Sequence, residues 1–144
     1  MAQAGYSLGN DVTLVVIKPD GTTLNLGKTT KFTAKQDDSM QTIAPLTGGT
    51  DHLRYFKGWS GSFDVERQGP ELDQYFAQLE ANFYAGIQEL PVTLQQTIVE
   101  PSGAVSQYQF LKTILQYTDA GDWAADKSVS QKISFSSSRR IRQA

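Results

Sequence analysis

A chain of 144 residues with a hydrophobic share of 39% is most simply a single domain with a core of its own. Its formal net charge of −2 argues against a free nucleic-acid binder working through a strong basic field, and the absence of cysteine excludes disulfides and thiolate metal sites. The N-terminal Met1-Ala2-Gln3-Ala4-Gly5 has no basic or apolar signal region and no apolar run approaches membrane-spanning length, so synthesis is expected in the cytoplasm.

After a polar lead, residues 12–17 are apolar on both faces, which predicts a strand covered on both sides. Lys18-Pro19-Asp20-Gly21 is a turn: Pro presets φ, Asp bonds back to the backbone and Gly accepts a positive φ. Residues 22–26 return as the hairpin partner, and residues 29–35 form another β-prone run with Lys31, Thr33 and Lys35 on one side. Between 36 and 54 the pattern breaks into acids, a Pro and a Gly pair without periodicity. That stretch is expected to be a long loop, and long loops inside small domains are commonly functional or ordered by a partner. Asp37, Asp38, Met40, Ile43, Leu46 and Asp51 are its candidate interface residues.

Residues 55–67 alternate with the strand period, placing Trp59, Phe63 and Val65 on one side and Ser60, Ser62, Asp64 and Glu66 on the other. A helix is predicted over residues 70–85. Pro70 opens it without losing a hydrogen bond, Glu71 and Asp73 suit its positive end, and Gly86 follows as a left-handed cap. Leu72, Tyr75, Phe76, Leu79 and Phe83 form one apolar stripe, so Leu72, Phe76, Leu79 and Phe83 join Trp59 and Phe63 as expected core. Residues 90–99 read as a strand, and Glu100-Pro101-Ser102-Gly103 repeats the Pro-x-Gly turn. A long return strand follows from 105 to 116, with Tyr108, Phe110, Lys112 and Ile114 on one side, and then a turn region containing Trp123. The last strand, 127–138, sets Val129, Gln131, Ile133 and Phe135 against Ser130, Lys132, Ser134 and Ser136. The tail 139–144 carries Arg139, Arg140 and Arg142 and reads as an exposed end or an assembly arm. The echo between the two Pro-x-Gly hairpins favours two similar hairpins packed as a sandwich around the helix.

Catalytic chemistry finds little purchase. His52 is the only histidine, so one chain can form neither a histidine metal cluster nor a Ser-His-Asp triad, and it reads as a solvent-facing loop residue. Gly58-Trp59-Ser60-Gly61 falls one residue short of a nucleophile elbow and sits in mid-strand. Asp37, Asp38 and Asp51 fit no EF-hand spacing, and Gly48-Gly49 is not followed by the Lys of a phosphate loop. No enzyme activity and no cofactor are expected.

Three segments resemble the tail tube proteins of long-tailed, particularly contractile-tailed, bacteriophages: residues 56–67, the helix end Leu79-Glu80-Ala81-Asn82-Phe83-Tyr84-Ala85-Gly86, and residues 121–129. The resemblance implies one domain over 1–144, mainly β, a two-sheet β-sandwich or barrel with one helix. It further implies homohexameric rings stacked into a hollow tube for DNA passage, in a virion tail assembled in the host cytoplasm. Sheath, baseplate and tail terminator proteins are the implied partners. In that frame the 36–54 loop reaches the next ring, and Ser130, Lys132, Ser134 and Ser136 line the lumen without binding DNA specifically. A baseplate tube-initiator or a contractile-injection-system tube protein fits the same residues. A carbohydrate-binding β-sandwich stays as a reading from another class, with Trp59, Trp123 and Tyr108 as its candidate aromatic platform, and a hydrolase is the weakest.

Overall fold

Two hairpins of the same form lie side by side. The computed structural model describes residues 4–6, 12–24, 26 and 28–143, so much of the polar lead and Asn25 of the first return strand lie outside it. In the first turn the Gly21 amide donates to the Lys18 carbonyl at 2.9 Å and the Thr22 amide to Asp20 Oδ1 at 3.0 Å. In the second, the Gly103 amide donates to the Glu100 carbonyl at 2.9 Å. Both glycines sit at φ 91°, a conformation a side chain would strain.

The elements are β1 (Val12–Ile17), β2 (Thr23–Leu24), β3 (Lys28–Ile43), β4 (Asp51–Glu66), α1 (Glu71–Tyr84), β5 (Val92–Val99), β6 (Val105–Asp119), β7 (Ser130–Ser137) and β8 (Arg139–Arg142). All pairings are antiparallel and form one sheet in the order β2-β1-β5-β6-β7-β4-β3, with β8 beside β6. The two hairpins thus join through β1 and β5 within one sheet, instead of facing each other as two sheets.

That sheet folds over on itself. Strand β3 stands three places from β6, about 14 Å away in a flat sheet. Yet the ring centroids of Phe32 on β3 and Phe110 on β6 are 6.2 Å apart, and Phe32 also stacks on Phe135 at 5.7 Å. The enclosed core holds Val16, Phe63, Val65, Leu94, Phe110, Ile133 and Phe135, each almost fully buried. The expected Trp59 is only partly buried and packs against this cluster.

Strand β6 crosses from one half of the fold to the other. Up to Thr113 it pairs with β5, and from Ile114 onward it pairs with β7. At the crossing Lys112 takes φ 51° and the β5 register shifts between Val92 and Leu94. A bulge exchanges the faces of every residue beyond it. Phe110 therefore points inward, as do Thr113 and Leu115, whereas Lys112 and Ile114, expected on the side of Phe110, are exposed.

The helix matches its expected span within a residue at each end, with Pro70 at the N-cap and Ala85 at the C-cap. Its end closes by two bonds, from the Gly86 amide to the Phe83 carbonyl at 3.1 Å and from the Ile87 amide to the Asn82 carbonyl at 2.8 Å. Leu72 is buried, and Tyr75 and Phe76 pack on the core. Leu79 is half-buried along a cleft between α1 and the first hairpin. Phe83 is not core: it is 75% exposed, because the sheet supports only the first turns and the helix runs past it.

A candidate assembly surface

The loop expected over 36–54 is a β-ribbon. Strands β3 and β4 stay paired out to Ile43 opposite Asp51, leaving only residues 44–50 as the turn. Each strand has 16 residues, about 50 Å at the usual rise. Only the part nearest the core is buried. Beyond Asp37 every residue to Lys57 is exposed, including Met40 at 59%, Leu46 at 107% and Tyr55 at 72%. Alternation is missing from this stretch because neither face of the ribbon has a core to meet.

The ribbon leaves the body at a built-in fork. The register shifts between Asp37 and Asp38, and Gly58 opposite takes φ 116°. A Cβ at Gly58 would lie 2.3 Å from the Ser137 carbonyl oxygen, so only glycine lets β4 part from its neighbour there. On the arm, Asp38 pairs with Arg54 at 3.3 Å, Arg54 lies over Phe56, and Thr42 bonds His52 Nδ1 at 3.3 Å. Asp37, Asp38 and Asp51 are strung along the ribbon and do not converge, and no cluster that could hold a metal occurs among the described residues.

Next to the arm the sheet presents a polar face from four strands. Pairing aligns its residues in rows: Lys31, Asp64, Lys132 and Asp119; then Thr33, Ser62, Ser134 and Gln116; then Lys35, Ser60, Ser136 and Ile114. Ser130, Lys132 and Ser136 are exposed and Ser134 is partly so, bonded through its hydroxyl to Thr118 at 2.6 Å. The sequence groups Lys31, Thr33 and Lys35, then Ser60, Ser62 and Asp64, then Ser130, Lys132, Ser134 and Ser136, each on one side of its own strand. Their union into one face is not legible there, because β3, β4, β7 and β6 are scattered along the chain and only their register aligns them.

The basic tail is a strand, not a free arm. Residues 139–142 pair with 108–111 of β6, continuing the edge that β7 begins. Arg140 is clamped between Trp59 and Tyr108, its guanidinium carbon 4.1 and 4.0 Å from the two ring centroids. Trp123 lies under Arg67 at 5.1 Å. The three aromatics of the sugar-platform reading therefore each give a face to an arginine of the same chain.

Beneath the polar face a polar cluster ties α1 to the sheet. Asp73 accepts from Arg67 Nε at 2.9 Å and from the Tyr117 hydroxyl, and Gln131 Nε2 donates to the Tyr117 oxygen at 2.7 Å and the Ala120 carbonyl at 3.1 Å. Burial works to raise the Asp73 carboxyl, but the Tyr117 and Arg67 bonds and the Arg67 charge outweigh it and hold it below the ordinary value. Burial, then the bond to Asp73, raise the Tyr117 phenol.

No family model and no curated protein sequence matches the chain. Solved structures do match. A chain of the PVC sheath–tube complex of an extracellular contractile injection system, in its extended state, superposes with a TM-score of 0.66 at 11% identity, covering 91% of this chain and 88% of that one. The chain has the tail-tube fold. Two further neighbours with this fold come from the anti-feeding prophage. One is its tube-terminating cap, with TM-score 0.63, 10% identity and coverage of 100% and 95%. The other belongs to its six-fold symmetrised baseplate, with TM-score 0.59, 6% identity and coverage of 100% and 98%.

Proposed function

We propose that this tail-tube-fold chain is a structural subunit of a contractile phage-type tail, stacking as hexameric rings into a hollow conduit for DNA within the virion. The observation that carries the reading is the pairing of a polar four-stranded face with an unsupported arm. A water-filled lumen needs a polar wall, and the rows of Ser, Thr, Lys and Asp supply one with nearly balanced charge. A strongly basic wall would hold DNA by releasing its counterions, whereas this one lets it pass. The arm supplies the axial contact. An isolated two-stranded ribbon is marginal in water, and this one exposes Met40, Ile43, Leu46, Leu53, Tyr55 and Phe56, which gain burial against a neighbouring ring. Sheath, baseplate and terminator proteins are the partners this role requires, and the role involves no enzyme activity or cofactor. Assembly takes place in the host cytoplasm.

A second reading is supported by the neighbours that come from a tube-terminating cap and from a baseplate. Under that reading the protein forms a single ring at a tube end.

Sedimentation at rising concentration with negative-stain microscopy of the same samples tests both. Rings that stack into tubes of indefinite length are expected, and rings that stop after one or two layers support the tube-end reading. A compact monomer at every concentration overturns both.

A further inference from the structure

Where the arm leaves the body, it opens a gap in the sheet. Strand β4 pairs with β7 from Glu66 opposite Ser130 up to Trp59 opposite Ser137, and turns away at Gly58. Its neighbour goes on. Beyond Ser138 the chain continues as β8 along β6, with Arg139 opposite Leu111 and Arg142 opposite Tyr108. Among the described residues β8 pairs only with β6, so the lane that β4 would have filled beside it holds no strand.

The phase of the ladder shows which groups face that lane. The Gln143 amide donates to the Gln107 carbonyl at 2.7 Å, and hydrogen-bonded pairs recur at every second residue of an antiparallel ladder. Ile141 therefore turns its backbone groups to β6, and Arg140 turns its N–H and C=O to the lane. A strand edge of this kind is a template for a further strand. Along it runs a groove of about 370 Å³, walled by Phe56 and Trp59 on one side and by Ser138, Arg139 and Arg140 on the other. None of the residues lining it is acidic.

Charge decides what can enter. Continuing the β4–β7 register past Trp59 and Ser137 would set Lys57 of the chain's own arm opposite Arg139 and Arg54 opposite Arg142. Like charges directly opposite destabilise a sheet, so the arm is kept out of the lane. The strand itself offers three arginines in four residues. We propose that this lane takes an extended acidic segment of a partner protein, added as a strand antiparallel to β8, as β4 is to β7. Its main chain bonds Arg140, its carboxylates meet Arg139, and an apolar side chain packs against Phe56 and Trp59. The contact goes beyond the tube reading and does not depend on it.

A short labelled peptide of alternating Glu and Val tests the lane by fluorescence polarisation with the full-length chain. Saturable binding is expected, and a Lys/Val peptide of the same length should not bind. Arg139→Glu should weaken binding about tenfold. Arg139 is exposed, so the melting temperature of this variant should stay near the wild-type value. If the reversal disturbs folding, Arg139→Gln takes its place, with a smaller loss expected.

Main-chain pairing has its own readout. Only alternate residues of an added strand turn their N–H toward its partner. Of two peptides N-methylated either at every Glu or at every Val, one should bind like the parent and the other about tenfold more weakly. Hydrogen exchange of the complex should show protection rising at Arg140. No binding of the Glu/Val peptide, equal affinity of the two methylated peptides, or binding unchanged by Arg139→Glu would each overturn the lane as a peptide site. A single-stranded DNA oligonucleotide that binds as tightly as the peptide and displaces it would overturn it too, by showing a general anion patch. Each of these results leaves the tube reading standing, because ring formation is read separately by sedimentation.

Discussion

The ring of Phe76 on α1 lies flat on that of Tyr117 on β6, with centroids 4.5 Å apart and planes 12° from parallel. The Tyr117 hydroxyl also donates to Asp73, so one aromatic residue of the sheet holds two turns of the helix. Beyond the half-buried Leu79 the helix leaves Phe83 and Tyr84 exposed. Phe76→Ala should therefore destabilise the fold by about 2–4 kcal/mol, while Phe83→Ala should change stability by less than about 0.5 kcal/mol. Chemical denaturation of the two variants checks the ranking, and equal losses would place the helix wrongly on the sheet.

The same anchor predicts an acid limb. The Asp73 carboxyl is held below its ordinary value of 3.8, so its contribution is present above that pH and is lost as pH falls through the lower folded value. Thermal melts of wild type and Asp73→Asn should differ most at neutral pH and converge in acid, once the pH falls through the lowered Asp73 value. On the alkaline side the raised Tyr117 phenol contributes below about pH 10 and loses its contribution above it, so Tyr117→Phe should flatten the alkaline limb. A constant gap between Asp73→Asn and wild type from pH 2 to 8 would remove the carboxylate from the account.

Gly58 should be intolerant of substitution. Alanine there meets both a φ of 116° and the Ser137 oxygen, and should cost about 2–4 kcal/mol. The loss should be accompanied by weaker amide protection at the Trp59–Ser137 pairing. An unchanged melting temperature would mean that the fork has other ways to open.

The arm should be separable from the fold. Its residues are exposed on both faces, so replacing 39–55 with a tight turn should leave the melting temperature within a few degrees of wild type. Ring stacking should be lost. Hydrogen exchange of the free chain should show the arm's amides exchanging far faster than those of β7, with the largest gain in protection on assembly. Tubes that still grow from the shortened chain would remove the arm from the axial contact.

Local rules carried much of the sequence to its structure. The two Pro-x-Gly turns, the helix from its Pro start to its Gly stop, and the unlike faces of β7 each depend on residues a few positions apart, and the structure keeps them all. What tertiary structure decided lies wherever a distant partner sets the environment. The arm reads as a loop because strand alternation records one buried face, and a ribbon projecting from the body has none. Ile114 changes sides because a bulge at Lys112 shifts the parity of β6. The arginine tail becomes a strand because the outer edge of β6 is open to it, and Phe83 leaves the core because the sheet ends beneath the helix. The alternating row from Lys31 to Asp119 joins residues up to 101 positions apart, and only the register of four strands sets them in line.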